Sequence, residues 1–146
     1  MKVEILKQFS VFMPNRPGAL SNLARIFSEK GIDIKGLASE VRDDSGVVRI
    51  TVAADADVSA ILSQGGFSSV ETNLLSVELE GTPGELHRIA KTLADGKINI
   101  TTVYGSSGHS GGIARILIAV ENVQKARGLL ESLSTDSTIP RGMSAS

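Results

Sequence analysis

The strongest constraint on the fold of this chain is an internal repeat. The stretch NRPGALSNLARIFSEKGIDI at positions 15–34 returns as GTPGELHRIAKTLADGKINI at positions 81–100. Pro17 and Pro83 are 66 positions apart (83 − 17), and the same offset places Gly18 on Gly84. An offset that holds over several elements indicates a duplication, and two copies are too few for a solenoid. We therefore expect two small similar domains, or one pseudo-symmetric domain, within the 146 residues.

Each copy is predicted to run strand, helix, strand, strand, helix. Alternating apolar residues mark the first strand, and apolar residues at helical spacing mark the helix that follows the Pro-Gly turn. The second strand is expected to begin at Ile34 in one copy and at Ile100 in the other. The offset extends into the third strand, where it places Arg49 on Arg115. Second helices are predicted at about positions 58–64 and 123–133.

The two copies differ at their ends. The first copy has a fourth strand near positions 69–74, which leads almost directly into the first strand of the second copy. The second copy lacks a clear last strand, because its tail STDSTIPRGMSAS is polar and is expected to be disordered from about position 135. A short strand at positions 2–6 is the candidate for the vacant edge.

This order of elements predicts an α+β protein with two tandem ferredoxin-like domains, at positions 1–74 and 75–146. Each domain would have βαββαβ order, with an antiparallel sheet and with both helices on one face of it. The other sheet face and the strand edges stay open, which favours a homodimer or a larger assembly.

Composition excludes several classes of site. The chain has no cysteine, so disulfides, thiolate metal sites and cysteine nucleophiles are excluded. Only two histidines argue against a histidine-rich metal site, and a net charge of −1 lacks the basic excess of a nucleic-acid-binding protein. Charged residues interrupt the N-terminal region, unlike a signal peptide, and no run approaches the ~18 apolar residues of a membrane span. We therefore expect a cytoplasmic protein with no metal, cofactor, nucleic-acid or membrane partner.

An enzymatic interpretation rests on one weak motif. The sequence GHSGG at positions 108–112 has the G-x-S-x-G form of hydrolases, which requires a strand before the serine and a helix after it. A strand is predicted after Ser110 instead, so the motif lies at a hairpin tip, and we expect the chain not to be an enzyme. The role of the Gly/Ser-rich loop at positions 105–112 stays open, and one alternative is a flexible loop that folds over a ligand.

The repeated Pro-Gly turn is the candidate functional feature. Gly18 permits close approach of the backbone, and the first amides of the next helix, near Ala19 and Leu20, lack intrahelical acceptors. Such amides bind carboxylates, helped by the helix dipole. Asn15 offers hydrogen-bond donors and an acceptor, and the carboxylate of Asp33 suits an ammonium group. These groups predict a cradle for a free amino acid, although ordinary turn and cap chemistry explains each residue separately.

The sequence N-R-P-G-A-L, followed by a helix and then G-I-D-I, resembles the ACT domain. ACT domains are small regulatory modules that bind amino acids and occur in enzymes of amino-acid metabolism. In the serine-sensing domains of phosphoglycerate dehydrogenase, the asparagine of this motif and the residue 18 positions later contact the effector. The resemblance spans about positions 7–133 and implies Asn15 and Asp33 in the first copy, and Gly81 and Asn99 in the second.

The second copy departs from the motif. It has Gly81 and Thr82 where the first copy has Asn15 and Arg16. Asparagine is also usual in the family where this chain has Asp33. Two non-equivalent sites, or one asymmetric site built on Asn15 and Asn99, are both open.

The resemblance implies a stand-alone pair of ACT domains that acts as a non-catalytic allosteric regulator. Family ligands lie at the interface between adjacent domains, so a free amino acid would bind there and a metabolic enzyme would receive the signal. The alternatives are a regulatory subunit of a biosynthetic enzyme, like the small subunit of acetolactate synthase, and a ligand-free structural dimerisation module. The predicted ligand-binding residues are Asn15, Pro17, Gly18, Ala19, Leu20, Asp33, Ile34, Pro83, Gly84, Glu85, Leu86, Asn99 and Ile100.

Overall fold

The computed structural model describes residues 1–107 and 112–135. Ser110 and His109 of the GHSGG motif, and the tail after position 135, lie outside the described residues. The strands are β1 (Lys2–Pro14), β2 (Gly36–Arg42), β3 (Ser45–Val52), β4 (Ser68–Glu78), β5 (Ile100–Ser107) and β6 (Ile113–Val120). The helices are α1 (Ala19–Glu29), α2 (Ser59–Gln64), α3 (Glu85–Asp95) and α4 (Val123–Thr135). Within the described ranges, none of the helices is long and apolar enough to span a membrane.

The chain divides into two compact units, and the divisions fall inside two long strands. One unit is Leu6–Leu74, here called the first-copy unit. The other, the second-copy unit, joins Met1–Ile5 to the described residues from Leu75 onward. The short strand predicted at positions 2–6 is therefore the start of the continuous strand β1. Its first residues, which the sequence assigned to the first domain, group with the second copy instead.

The first-copy unit has its strands in the order β2-β3-β1-β4, and β3 pairs antiparallel with both β1 and β2. Phe9 of β1 lies opposite Ile50 of β3, and both are fully buried. Leu23 and Phe27 of α1 and Leu62 of α2 pack into the same cluster. Because all these residues share one core, both helices cover one face of the sheet and leave the other face without helices.

The second-copy unit follows the order β1-β4-β6-β5, with β6 antiparallel to both β4 and β5. Its core joins Leu75 and Ile118 of the sheet to Leu93 of α3. Val3 and Ile5 of β1 pack against that core. The N-terminal segment thus supplies apolar side chains to the second copy, although about seventy residues of chain separate them.

The third strands of the two copies are not related by the offset of 66, because the pairing register differs. Ser10 lies opposite Arg49, whereas its counterpart Ser76 lies opposite Leu117. Arg115 lies opposite Glu78, so it is the counterpart of Val47 at an offset of 68 (115 − 47). The predicted match of Arg49 with Arg115 is therefore wrong. The physical reason is the longer β5–β6 connection, between Ser107 and Ile113, against the two-residue connection between Arg42 and Ser45.

Candidate functional site

The two Pro-Gly turns have nearly the same backbone conformation. Gly18 has φ 87° and ψ −13°, and Gly84 has φ 94° and ψ −14°. This left-handed region strongly favours glycine, because any Cβ there crowds the neighbouring backbone. Beyond this strain from the adjacent residues, a Cβ added at either glycine would meet no atom of the rest of the described chain within 4 Å. The helices begin directly after these glycines, at Ala19 and Glu85, as the sequence predicted for Ala19.

In the first-copy unit, Asn15 fastens the turn to the β2–β3 hairpin. Its backbone N–H donates to the carbonyl oxygen of Asp44 at 2.9 Å. Its side-chain Nδ2 donates to the carbonyl oxygen of Asp43 at 3.2 Å. The amide group that the sequence assigned to a ligand therefore has a structural partner, which orients the start of the turn.

The start of α1 has backbone donors that the described chain leaves open. The N-cap residue Gly18 has no side chain that could accept from these donors. The backbone N–H of Ala19 donates a long hydrogen bond of 3.3 Å to the carbonyl of Arg16, and the N–H of Asn22 donates to the carbonyl of Gly18 at 3.0 Å. Leu20 and Ser21 lie between Ala19 and Asn22 in the sequence, and their backbone amides have no acceptor among the described residues. Arg16, on the exposed turn, makes no ion pair within the described ranges. These groups together favour an anion.

The second turn already holds a carboxylate, which belongs to the chain. Oε1 of Glu85 accepts a hydrogen bond from the backbone N–H of Thr82 at 2.8 Å. Oε2 accepts another from the backbone N–H of Glu80 at 3.2 Å. The counterpart of Glu85 in the first copy is Ala19, which has no carboxylate. The sequence signal for this contact is Thr82 followed three residues later by Glu85, which is the pattern of a capping box. The prediction from the sequence overlooked this pattern.

The contact between turn and hairpin recurs in the second-copy unit, but glycines make it. Gly112 has φ +71°, and a Cβ added there would overlap the carbonyl group of Gly81. Gly81 is the counterpart of Asn15, whose side chain makes the equivalent link in the first copy. The departure of Gly81 from the motif is therefore explained by close backbone packing of the hairpin.

Asp33 does not lie beside the turn of its own unit. The turn precedes α1 and Asp33 follows it, and a helix of 11 residues is roughly 16 Å long. The Asp33 carboxylate is highly exposed and lies 3.5 Å from Nζ of Lys35. Asn99 is separated from Gly84 by α3 in the same way. Within one unit, therefore, the two predicted halves of a cradle are at opposite ends of a helix.

The remaining predicted residues divide between surface and core. Ile34 and Ile100 are half-buried and pack against the cores of their units. Leu20 and Leu86 are 48% and 44% exposed, and Pro17 and Pro83 are exposed beside them. Across the described ranges, no group of three acidic or histidine side chains could hold a metal ion.

A sequence profile described as an ACT domain pair matches residues 4–135. Among solved structures, a protein from Bacteroides thetaiotaomicron is 20% identical, with a TM-score of 0.80, over 90% of this chain and 90% of that chain. The ligand-free regulatory subunit of aspartate kinase from Thermus thermophilus is 17% identical, with a TM-score of 0.63, over 90% of this chain and 94% of that chain. The corresponding subunit from Thermus flavus is 17% identical, with a TM-score of 0.59, over 90% and 96% of the two chains. A comparison with curated protein sequences finds no significant match.

Proposed function

This chain belongs to the family of ACT domain pairs, and from that premise we propose that it is a non-catalytic regulatory protein that binds a free amino acid. The observation that carries the proposal is the difference between the two turns. They share one backbone conformation, yet only the second turn has a carboxylate of the chain beside it, which accepts hydrogen bonds from the backbone N–H groups of Thr82 and Glu80. In the first turn alanine stands at the position of that glutamate, so a carboxylate from solution meets no repulsion from it at the open amides of Leu20 and Ser21.

The effector carboxylate would bind the amides of Leu20 and Ser21 at the start of α1. A helix N-terminus carries about half a positive charge, which favours an anion at this position. Arg16 adds a full positive charge on the same turn. Asn15, held by the hairpin, keeps the turn in place, so little ordering remains to be done on binding.

The second turn is a weaker candidate, because an incoming carboxylate would meet Glu85. That side chain lies in the first turn of α3, where a negative charge is itself favourable. We therefore propose one amino acid per chain, bound at the first turn. The expectation that the effector spans both copies, with Asn99 as the second contact, stays a prediction.

A panel of the twenty amino acids at millimolar concentration tests this function through the melting temperature of the chain. A ligand that binds only the folded state stabilises it by RT ln(1 + [L]/Kd). Gly18→Asp places a carboxylate at the proposed site and should abolish the shift. Gly84→Asp is the matched control, since it carries the same backbone strain at the other turn and should leave the shift in place. If no amino acid raises the melting temperature, the sensing role is lost.

A second candidate is a regulatory subunit that assembles with an amino-acid biosynthetic enzyme. Its support is the likeness in fold to the aspartate kinase regulatory subunits, which covers 94% and 96% of those chains. Such a subunit would change the activity of the partner enzyme when an effector binds at the first turn. It would act as a homodimer or as part of a larger assembly. Co-purification of a catalytic subunit with the tagged chain, at a fixed ratio, is the expected result, and recovery of the chain alone contradicts this candidate.

A further inference from the structure

The helix-free face of the first-copy unit carries an open groove of about 690 Å³. Its lining includes Phe12 and Pro14 of β1, Glu40 and Arg42 of β2, and Val47 of β3. All of these residues belong to the Leu6–Leu74 unit. The groove is separate from the open amides at the start of α1, so its ligand does not depend on the function proposed above.

Strand register explains how the lining side chains come together. Phe12 lies opposite Val47, and Val47 lies opposite Glu40, so the three form one row across the sheet. Side chains alternate between the faces of a sheet, and the neighbours Val11 and Val48 point into the core. The row therefore faces away from the helices. Phe12, which is 49% exposed, forms an apolar floor with Val47.

The next row towards the hairpin supplies charge. Pro14 lies opposite Ser45, which lies opposite Arg42. The guanidinium of Arg42 has no ion-pair partner in the part of the chain that is described. Glu40, by contrast, is already paired with Arg49 at 3.1 Å, so it does not compete for Arg42. The charged side chain of Arg42 thus lies at the edge of the apolar floor formed by Phe12 and Val47.

The duplicated unit shows that the fold does not require this floor. The counterparts of Phe12 and Val47 are Glu78 and Arg115, which form an ion pair at 3.0 Å. The same position of the sheet thus carries an ion pair in the second copy and two apolar side chains in the first. Phe12 is thus an exposed aromatic residue at a position where the other copy carries a charged side chain.

We propose that this groove binds a small carboxylic acid with an apolar body. Arg42 holds the carboxylate, and Phe12 and Val47 contact the apolar body. The volume lies within the range of roughly 300–1,000 Å³ that is usual for small-molecule sites. A protein partner fits less well, because a stable interface needs about 800 Å² on each side, whereas the floor consists of Phe12 and Val47 with the charged Glu40 and Arg42 beside them on β2. Asp44, which also lines the groove, would receive an ammonium group if the acid is an amino acid.

The test uses the full chain, labelled with ¹⁵N, and three probes that share one apolar body. Phenylpyruvate has a carboxylate alone, L-phenylalanine has a carboxylate and an ammonium, and phenethylamine has an ammonium alone. We expect saturable shifts of the Gly46 and Val47 amides with either carboxylate, and none with phenethylamine. If L-phenylalanine binds more tightly than phenylpyruvate, Asp44 contributes and the acid is an amino acid. The reverse order identifies a carboxylic acid without an amino group.

Two variants make the result specific. Arg42→Gln should weaken carboxylate binding about tenfold or more, because it removes a charge-assisted hydrogen bond. Arg25→Gln is the matched control, since it removes an exposed arginine of the same unit that lies on α1 and pairs with Glu29, and it should leave binding unchanged. Phe12→Ser, at an exposed position, should weaken binding while the melting temperature stays within a few degrees.

Three results would overturn the proposal. The first is no saturable shift at the groove with either carboxylate at millimolar concentration. The second is unchanged affinity in Arg42→Gln, or equal binding of phenethylamine. The third is a response confined to the amides of Leu20 and Ser21, which would support the turn and not the groove. Gly18→Asp separates the two sites, since it should abolish binding at the turn and leave groove binding intact.

Discussion

Glu85 and Thr82 form a hydrogen bond of 2.8 Å, in which a carboxylate oxygen accepts from a backbone N–H two residues before the glycine that opens α3. The second oxygen of Glu85 accepts from Glu80. The chain has thus placed its own carboxylate at one of two turns that are otherwise alike in backbone. In the other turn, alanine stands at the position of that glutamate.

Glu85→Ala should remove the negative charge that opposes a second carboxylate at the start of α3, where the amides of Leu86 and His87 correspond to those of Leu20 and Ser21. We expect the number of amino acids bound per chain, measured by titration calorimetry, to rise from one to two. The variant should also lose about 0.5–1.5 kcal/mol of unfolding free energy, because the exposed Glu85 carboxylate no longer accepts from the amides of Thr82 and Glu80. Glu29→Ala is a suitable control, because it removes an exposed acid of the other helix that makes one i,i+4 pair. An unchanged stoichiometry in Glu85→Ala, with binding at the first turn intact, would contradict the idea that Glu85 closes the second.

Glycine substitutions should separate backbone strain from steric overlap. Gly84→Ala should cost about 1–2 kcal/mol of unfolding free energy, since φ is 94° and no atom lies close to the new Cβ. Gly112→Ala in the same unit should cost more, because its Cβ would also overlap the carbonyl of Gly81. Urea denaturation of both variants measures the difference. Equal costs would mean that the hairpin moves away from the turn without penalty.

Asn15→Ala should loosen the first turn without unfolding the unit. The variant loses the side-chain bond to Asp43 and keeps the backbone bond to Asp44. A loss of about 0.5–1.5 kcal/mol is expected for one such hydrogen bond. Faster hydrogen exchange at the amides of the β2–β3 hairpin is the direct measurement. If exchange there is unchanged, the side chain is not what holds the turn to the hairpin.

Removing an apolar side chain from the N-terminal segment should destabilise the second-copy unit. Val3 and Ile5 pack against its core, so Ile5→Ala should cost about 1–3 kcal/mol, somewhat less than for a fully buried isoleucine. Lys2→Ala, at an exposed position of the same strand, should be nearly neutral. Hydrogen exchange resolved by residue should show the loss in β6 and α3. A loss confined to the first-copy unit would contradict the assignment of Met1–Ile5 to the second.

Several features were predictable from the sequence because they depend on neighbouring residues. Apolar periodicity and the Pro-Gly signal placed the start of α1 at Ala19, and the ends of α2 and α4 fell within about two residues of the prediction. The duplication itself is a property of the sequence, and the match to the ACT domain pair confirms the resemblance from which the family was inferred. The use of glycine in the turn also follows locally, because φ is positive at Gly18 and Gly84.

Other features depended on contacts between distant residues. Arg49 and Arg115 look equivalent at an offset of 66, yet they occupy different rows of their sheets. Repeat alignment counts residues along the chain, whereas register is set by the length of the connection and by which strands pair. The role of Glu85 was missed for a different reason, because its contacts are local and follow a capping-box pattern that the prediction overlooked. It was predicted to contact a ligand, but in the structure it accepts from amides of the chain.

The sequence by itself determined the duplication, the helices and the two left-handed glycines, because periodicity and backbone sterics act over a few residues. Only the tertiary structure decided that Met1–Ile5 belong with the second copy and that Phe12 and Val47 together form an apolar floor. Those outcomes depend on strand pairing and on side chains that meet across long loops, and loop closure leaves no periodic trace in the sequence.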